Sequence, residues 1–213
     1  MNYLQLVNDF MVETNMEDQI ATVIGQIDDG LKATTWVKDA WIQIQRAERW
    51  SFMWSEGSFP TVANQAVYSL ANQNRVNGDS VDIYSYRIPA SKRFITPIDL
   101  NLVRFEDNTG SPTRVAEYPD GSIRLSPVPD AIHTVKFDLW AAPVVLTSDL
   151  DVPSVASQWH KAIVWRAIVN YAREQGKEWT GLYTAATREF NHIYADMQRQ
   201  YLPPLGRKVP LTR

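Results

Sequence analysis

Trp36-Val37-Lys38-Asp39-Ala40-Trp41-Ile42-Gln43-Ile44-Gln45, near the front of the chain, sets two tryptophans and their aliphatic neighbours at helical spacing. Trp36, Val37, Ala40, Trp41, Ile44 and Ala47 fall on one face, with Lys38, Asp39, Gln43, Gln45 and Arg46 opposite. A second stretch of the same character, Trp159-His160-Lys161-Ala162-Ile163-Val164-Trp165-Arg166-Ala167, lies near the back. Neither can bury its aromatic face alone. The two ends of the chain are therefore expected to pack together, with everything between them as an insertion.

Working outward, Tyr3, Val7, Phe10 and Met11 draw one apolar stripe on a first helix, and Asp28 or Asp29 is placed to cap the second through side-chain bonds to free N–H groups. At the back, Trp159, Ile163, Ala167 and Tyr171 recur every four residues, and Gly176 suits the position just past a helix end. A further helix carries Leu182, Ala186, Phe190, Ile193, Tyr194 and Met197 on one face, forming an antiparallel hairpin with its predecessor. The predicted bundle core is Trp36, Val37, Ala40, Trp41 and Ile44 with Ile163, Ala167, Tyr171, Phe190 and Tyr194.

Between Trp50 and Pro143 the pattern changes to short alternating runs separated by Gly, Pro, Asn and Asp. Strands are predicted over 51–59, 66–70, 80–88, 113–118, 122–125 and 134–141, with a hairpin turn at Asp120-Gly121 and a helical turn within 97–105. The fold class is thus α+β: an antiparallel helical bundle from the N- and C-terminal helices, with a central β-rich insertion. The predicted parts are 1–49, 50–143, 144–200 and an extended arm, 201–213. That arm, Tyr201-Leu202-Pro203-Pro204-Leu205-Gly206-Arg207-Lys208-Val209-Pro210-Leu211-Thr212-Arg213, holds prolines that lack the amide donor a helix needs. Its prolines lower the entropy lost on binding, its leucines fill pockets and its cations suit acidic grooves, so it reads as a docking peptide.

Composition narrows the function. With 213 residues, 45% hydrophobic, the chain can bury a substantial core, and a net charge of −3 gives no basic field for general phosphate binding. No cysteine is present, which removes disulfides and thiolate chemistry and fits assembly in a reducing cytoplasm. No basic segment precedes an apolar core at the N-terminus, and no apolar run approaches the roughly 18 residues of a membrane span, so a soluble, unprocessed protein is expected. Eight Trp, nine Tyr and seven Phe exceed what a monomer's core needs and favour subunit contacts. Trp50, Trp54, Trp140 and Trp179, off the helical stripes, are the ones freest to serve an interface.

Candidate chemistry is sparse. His133, His160 and His192 have no acidic partner at metal-ligand spacing, and no phosphate loop, nucleophile elbow or dinucleotide fingerprint is present. Neither a catalytic residue nor a cofactor or metal site is expected. Asp149 and Asp151 precede a helix, where capping is the natural role, although an acid pair also admits a hydrolase reading. A third possibility is a small sugar- or peptide-binding module lined by Trp54, Tyr84, Tyr86 and Trp140.

The segment Trp36-Val37-x-x-Ala40-Trp41-x-x-Ile44-Gln45, followed by Trp50-x-Phe52-Met53, resembles the front of the head-to-tail adaptor (connector) proteins of tailed bacteriophages. Arg124-Leu125-x-Pro127-x-Pro129, Phe137-Asp138-x-Trp140-x-x-Pro143, Asp149-x-Asp151-x-Pro153 and His160-x-x-Ile163-Val164-x-x-Ala167-x-x-x-Tyr171-Ala172 follow in the same order as in that family. The resemblance implies a non-enzymatic virion protein of the neck, in a homo-oligomeric ring of about twelve copies beneath the portal protein. It also implies a tail or nozzle component below and double-stranded DNA passing through without specific binding. The matching portal-docking arm is Tyr201 to Arg213.

Overall fold

A computed structural model describes residues 1–16, 19–70, 82–176 and 179–202. The arm residues Pro203 to Arg213 lie outside that description, as do residues 80–81 of the third predicted strand and the side chain of Tyr84. The fold is α+β, with five α-helices and a curled seven-stranded sheet among the described residues. The chain divides into two compact units, Met1–Phe52 together with the chain from Pro143 onward, and Met53–Ala142.

The first unit holds α1 (Tyr3–Glu13) and α2 (Asp28–Ala47). The first of these starts in a capping box. Asn2 Oδ1 accepts from Gln5 N at 2.9 Å while Gln5 Oε1 accepts from Asn2 N, so two N-terminal N–H groups find partners. The second helix departs from expectation. Ile27 stands at its cap without a side-chain bond, and Asp28 and Asp29 lie inside the first turn, where their charge meets the helix dipole instead of capping it. Returning from the β unit, the chain forms two more helices of this unit, His160–Gln175 and Thr180–Tyr201. The first of these packs on α1, on α2 and on its successor, and ends at Gly176, whose φ of 84° a side chain would strain.

Val37, Ala40, Trp41, Ile44, Ile163, Ala167, Tyr171 and Phe190 are buried, while Trp36 and Tyr194 are only half-buried. Two residues read as outward or free from the sequence turn inward. Gln45 is buried, and its amide pairs with both backbone groups of Val144, accepting from N at 2.8 Å and donating to O at 3.0 Å. It thereby satisfies a segment that no strand partners among the described residues. Trp50 is fully buried, stacks on Phe52 at 5.7 Å, meets Tyr194 edge-on at 5.5 Å and donates its indole N–H to Ile44 O at 2.6 Å. The carbonyl of Ile44 is among the last four of its helix, which have no intrahelical donor. Trp50 is therefore a core and capping residue, not an interface one.

The second unit contains β1 (Trp54–Pro60), β2 (Val67–Ser69), β3 (Asp82–Ile88), β4 (Arg93–Pro97), the short α3 (Leu100–Val103), β5 (Thr109–Gly110), β6 (Arg114–Glu117), β7 (Ser122–Ser126), β8 (Val128–Pro129) and β9 (Thr134–Trp140). With these in place, the two C-terminal helices are α4 (His160–Gln175) and α5 (Thr180–Tyr201). The sheet order is β1-β9-β3-β4-β6-β7-β2, antiparallel throughout except for β4 beside β6. β6 and β7 form the predicted hairpin, with Gly121 at φ 77° in its turn. Phe59 on β1 meets Tyr68 on β2 at 5.1 Å, so the first and last strands of the order approach through their side chains as the sheet curls. Tyr86, Ile88, Ile95, Val115, Ile123, Leu125, Val135, Phe137 and Leu139 fill the concave side. Gly57 lies opposite Phe137, whose ring covers it so closely that a Cβ there would fall 2.2 Å from Cζ.

Candidate interaction surfaces

In the helical unit, Asp149 joins two distant loops. Its carboxylate accepts from Thr22 Oγ1 at 2.8 Å and from Val23 N at 2.6 Å, while Leu4 N donates to Asp149 O at 3.3 Å and Tyr3 N to Asp151 O at 2.7 Å. The free N–H groups at the start of α1 are thus satisfied by the return loop. Asp151 turns its carboxylate onto Thr147 N and Ser148 N, and these donors hold it below the usual carboxylate range. Neither aspartate caps α4, which begins at His160 with no side-chain cap. Both carboxylates are committed to binding loop groups, which removes the geometric basis of the acid-pair reading. On the two loops so fixed stand Ile24, Ile27, Leu150 and Val152, and Leu31 follows in the first turn of α2, all exposed. Aliphatic side chains on a pinned backbone make a surface ready for a partner.

The outer face of the β unit carries two ion-pair systems. Arg87 bonds Asp138 and Glu56, and Lys136 bonds Glu56 at 2.7 Å, which links three neighbouring strands. Burial raises the Asp138 carboxyl, but hydrogen bonds from Arg87 and Ser85 outweigh it and hold the group below its ordinary value. The second system anchors α3. The Arg124 guanidinium donates to Val103 O at 2.9 Å and to Glu106 O at 2.7 Å, and Arg114 pairs with Glu106 at 2.7 Å. Ile123 and Leu125 enter the core, so Arg124 between them faces outward and pulls the 100–106 segment onto that face. Phe94, Leu102 and Phe105 remain exposed, the last at 88%.

The proposed sugar or peptide site is not assembled. Tyr86 is in the core, its hydroxyl donating to Glu117 Oε1 at 3.0 Å, whereas Trp54 and Trp140 are cross-strand partners on the opposite face. Trp179 packs edge-on against Tyr171 at 5.4 Å. At the root of the expected arm, Tyr201 is the last residue of α5, not the first of an extended segment. Its ring meets Phe52 at 5.1 Å, and its hydroxyl accepts from Ala156 N at 3.4 Å. Leu202 N closes the final turn on Gln198 O. A helix end pinned in this way fixes the point from which the chain departs.

Each histidine sits apart from the others. His192 is exposed, and His133 is half-buried with Nε2 3.2 Å from Asp130. His160 is buried, with Nε2 on Val155 O at 3.0 Å and Nδ1 on the Met1 amine at 2.7 Å. Burial first, and the neighbouring ammonium charge with it, pushes His160 below its ordinary pKa. Its stabilising contribution is complete above the unfolded value of about 6.5 and is lost as pH falls through the lower folded value, because the unfolded chain takes up a proton that the folded one refuses. Tm measured from pH 8 to pH 5 is expected to fall more steeply in the wild type than in His160→Gln; parallel curves would refute this. Among the described residues no group of three or more His, Asp or Glu is arranged to hold a metal ion, and no helix is long and apolar enough to cross a membrane.

With this geometry in place, a family model described as SU10 adaptor protein matches residues 1–208. No curated protein matches the sequence.

Proposed function

Because the chain belongs to the SU10 adaptor protein family, a phage head-to-tail adaptor family, we propose that it forms a ring of about twelve copies beneath the portal and joins the capsid vertex to the tail. Membership makes it a phage structural protein associated with the virion. The observation that carries the finer reading is the extent of the match, which takes in the helical unit, the β unit and the first residues of the arm. In this reading the helical unit is the body of each ring subunit, and the β unit offers surface to the tail-side component. The arm, from Leu202 onward, inserts into the portal, with Leu205, Val209 and Leu211 seated in pockets and Arg207, Lys208 and Arg213 on acidic rims. DNA traverses the channel without specific contacts, and the net negative charge of the chain limits adhesion to its phosphates. The work is assembly rather than catalysis.

The test is removal of residues 203–213, cutting after Leu202 so that the final turn of α5 is kept closed. The truncated chain is expected to keep the Tm of the parent, because every core contact described above lies before the cut. Binding to the portal protein of the same phage, followed by sedimentation, is expected to weaken at least tenfold. Unchanged affinity would end the docking role of the arm.

A further inference from the structure

We propose that adjacent copies meet head to tail, through a cationic aromatic surface on the β unit of one copy and an acidic aliphatic surface on the helical unit of the next. This rests on the ring proposed above and names the faces that would build it. On the β unit, Arg93 and Phe94 sit on β4, while Arg104 and Phe105 follow α3. Ile95 points into the core, so Phe94 faces outward beside Arg87 of β3. Phe105 reaches the same outer face because its neighbour Glu106 is tied to Arg114, the β6 partner of Thr96. Phe94 is 72% and Phe105 88% exposed.

Charge separates these residues from the rest of the unit. Arg87, Arg114, Arg124 and Lys136 all have carboxylate partners, but Lys92, Arg93 and Arg104 form no ion pair among the described residues. Lys92, just before β4, and Arg104, beside Phe105, are thus unpaired cations near two exposed phenylalanines and Leu102, and Arg93 adds a third at the exposed start of β4, on the side of the strand that Ile95 shares. Such a combination suits burial against apolar groups that also bring negative charge.

The helical unit supplies the complement. Leu150, 77% exposed, stands between Asp149 and Asp151, and Ile27, 73% exposed, stands beside Asp28. The clasp from Asp149 to Thr22 and Val23 brings these two loops together. None of the three aspartates has a cationic partner among the described residues; Asp149 and Asp151 are held by neutral hydroxyl and amide donors. Cations among aromatics on one unit and carboxylates among aliphatics on the other are two different surfaces. A contact between them is heterologous, leaves one of each unsatisfied at the ends of any open chain of copies, and is completed when the chain closes into a ring.

The absence of cysteine makes a direct test possible. Full-length Phe105→Cys and Leu150→Cys are prepared separately, mixed under mild oxidation at the concentration where the wild type self-associates, with portal protein of the same phage added as template if needed. The expected product is a disulfide dimer containing one of each variant, in at least tenfold excess over either variant oxidised alone. The double variant is expected to give a ladder of cross-linked species on a non-reducing gel. Arg93→Glu with Arg104→Glu, both exposed, is expected to weaken self-association at least tenfold without changing Tm. Rings that form normally from the charge-reversed protein, and that give no mixed dimer, overturn this assignment while leaving the ring intact. A wild type that stays monomeric even on the portal overturns both the assignment and the ring.

Discussion

Trp50→Ala is expected to destabilise the protein by roughly 3–5 kcal/mol, the range for truncating a fully buried large aromatic. At about 2–4 °C per kcal/mol for a chain of this size, the loss in Tm is on the order of 10 °C. Three effects combine in the substitution. The indole volume is left as a cavity between Phe52 and Tyr194, both of which lose a ring contact, and Ile44 O loses the donor that satisfied it at the end of α2. Trp50→Phe separates them: it keeps most of the packing and forfeits the 2.6 Å hydrogen bond, so a loss of only about 1–2 kcal/mol is expected. Thermal unfolding followed by near-ultraviolet circular dichroism measures both. A Tm for Trp50→Ala within 2 °C of the parent would mean that Trp50 is not the keystone of this corner.

Gly57→Ala is expected to cost about 1–3 kcal/mol, the range for overpacking a filled core, although it adds a single methyl group. The obstruction is specific. Phe137 is fully buried, its ring lies against the Gly57 backbone, and the neighbouring Phe59 and Tyr86 rings block its escape. Pairing the change with Phe137→Leu tests the mechanism, since the smaller side chain vacates the space that the new methyl needs. The double variant is then expected to be less destabilised than the sum of the two single changes, with a coupling of about 1 kcal/mol in denaturant titrations. Strict additivity would place the damage elsewhere than in this contact.

The sequence made the long helices readable because their apolar periods are sustained: Tyr3 to Met11, Val37 to Ile44 and Ile163 to Ala172 are stripes that only a helix buries on one side. The β6–β7 hairpin was readable for a local reason as well, since Asp120-Gly121 provides the turn. What escaped depends on contacts distant in the chain. β4 was missed because only Ile95 of its five residues is buried and one of its neighbours, β6, is parallel and reached across α3. Gln45 reads as solvent-facing because a polar residue at the edge of an apolar stripe usually belongs there, and its partner, Val144, is 99 residues away. Asp149 read as a helix cap for a similar reason, since nothing near it in sequence points to Thr22. Trp50 lies beyond the helical period, so its burial had no local signature. Of the candidate surfaces, the exposed Phe94 carries no periodic signal, and only its place on the outer side of a sheet identifies it; Phe105 shares the helical spacing of Ile98 and Leu102, but that spacing does not tell that it stays exposed.

The chain enters the β unit at Met53 and leaves it at Ala142, and the two crossings are neighbours: Ala141 N donates to Met53 O at 2.8 Å, and Trp54 stands opposite Trp140. A module whose entrance and exit share one doorway can be lengthened, shortened or exchanged without rerouting the host on either side. Change in the inserted module then needs no alteration of the scaffold, because a new module can be spliced in at the same two neighbouring crossings. Mechanical load drawn through such a doorway falls on both polypeptide threads together, so neither has to carry it alone.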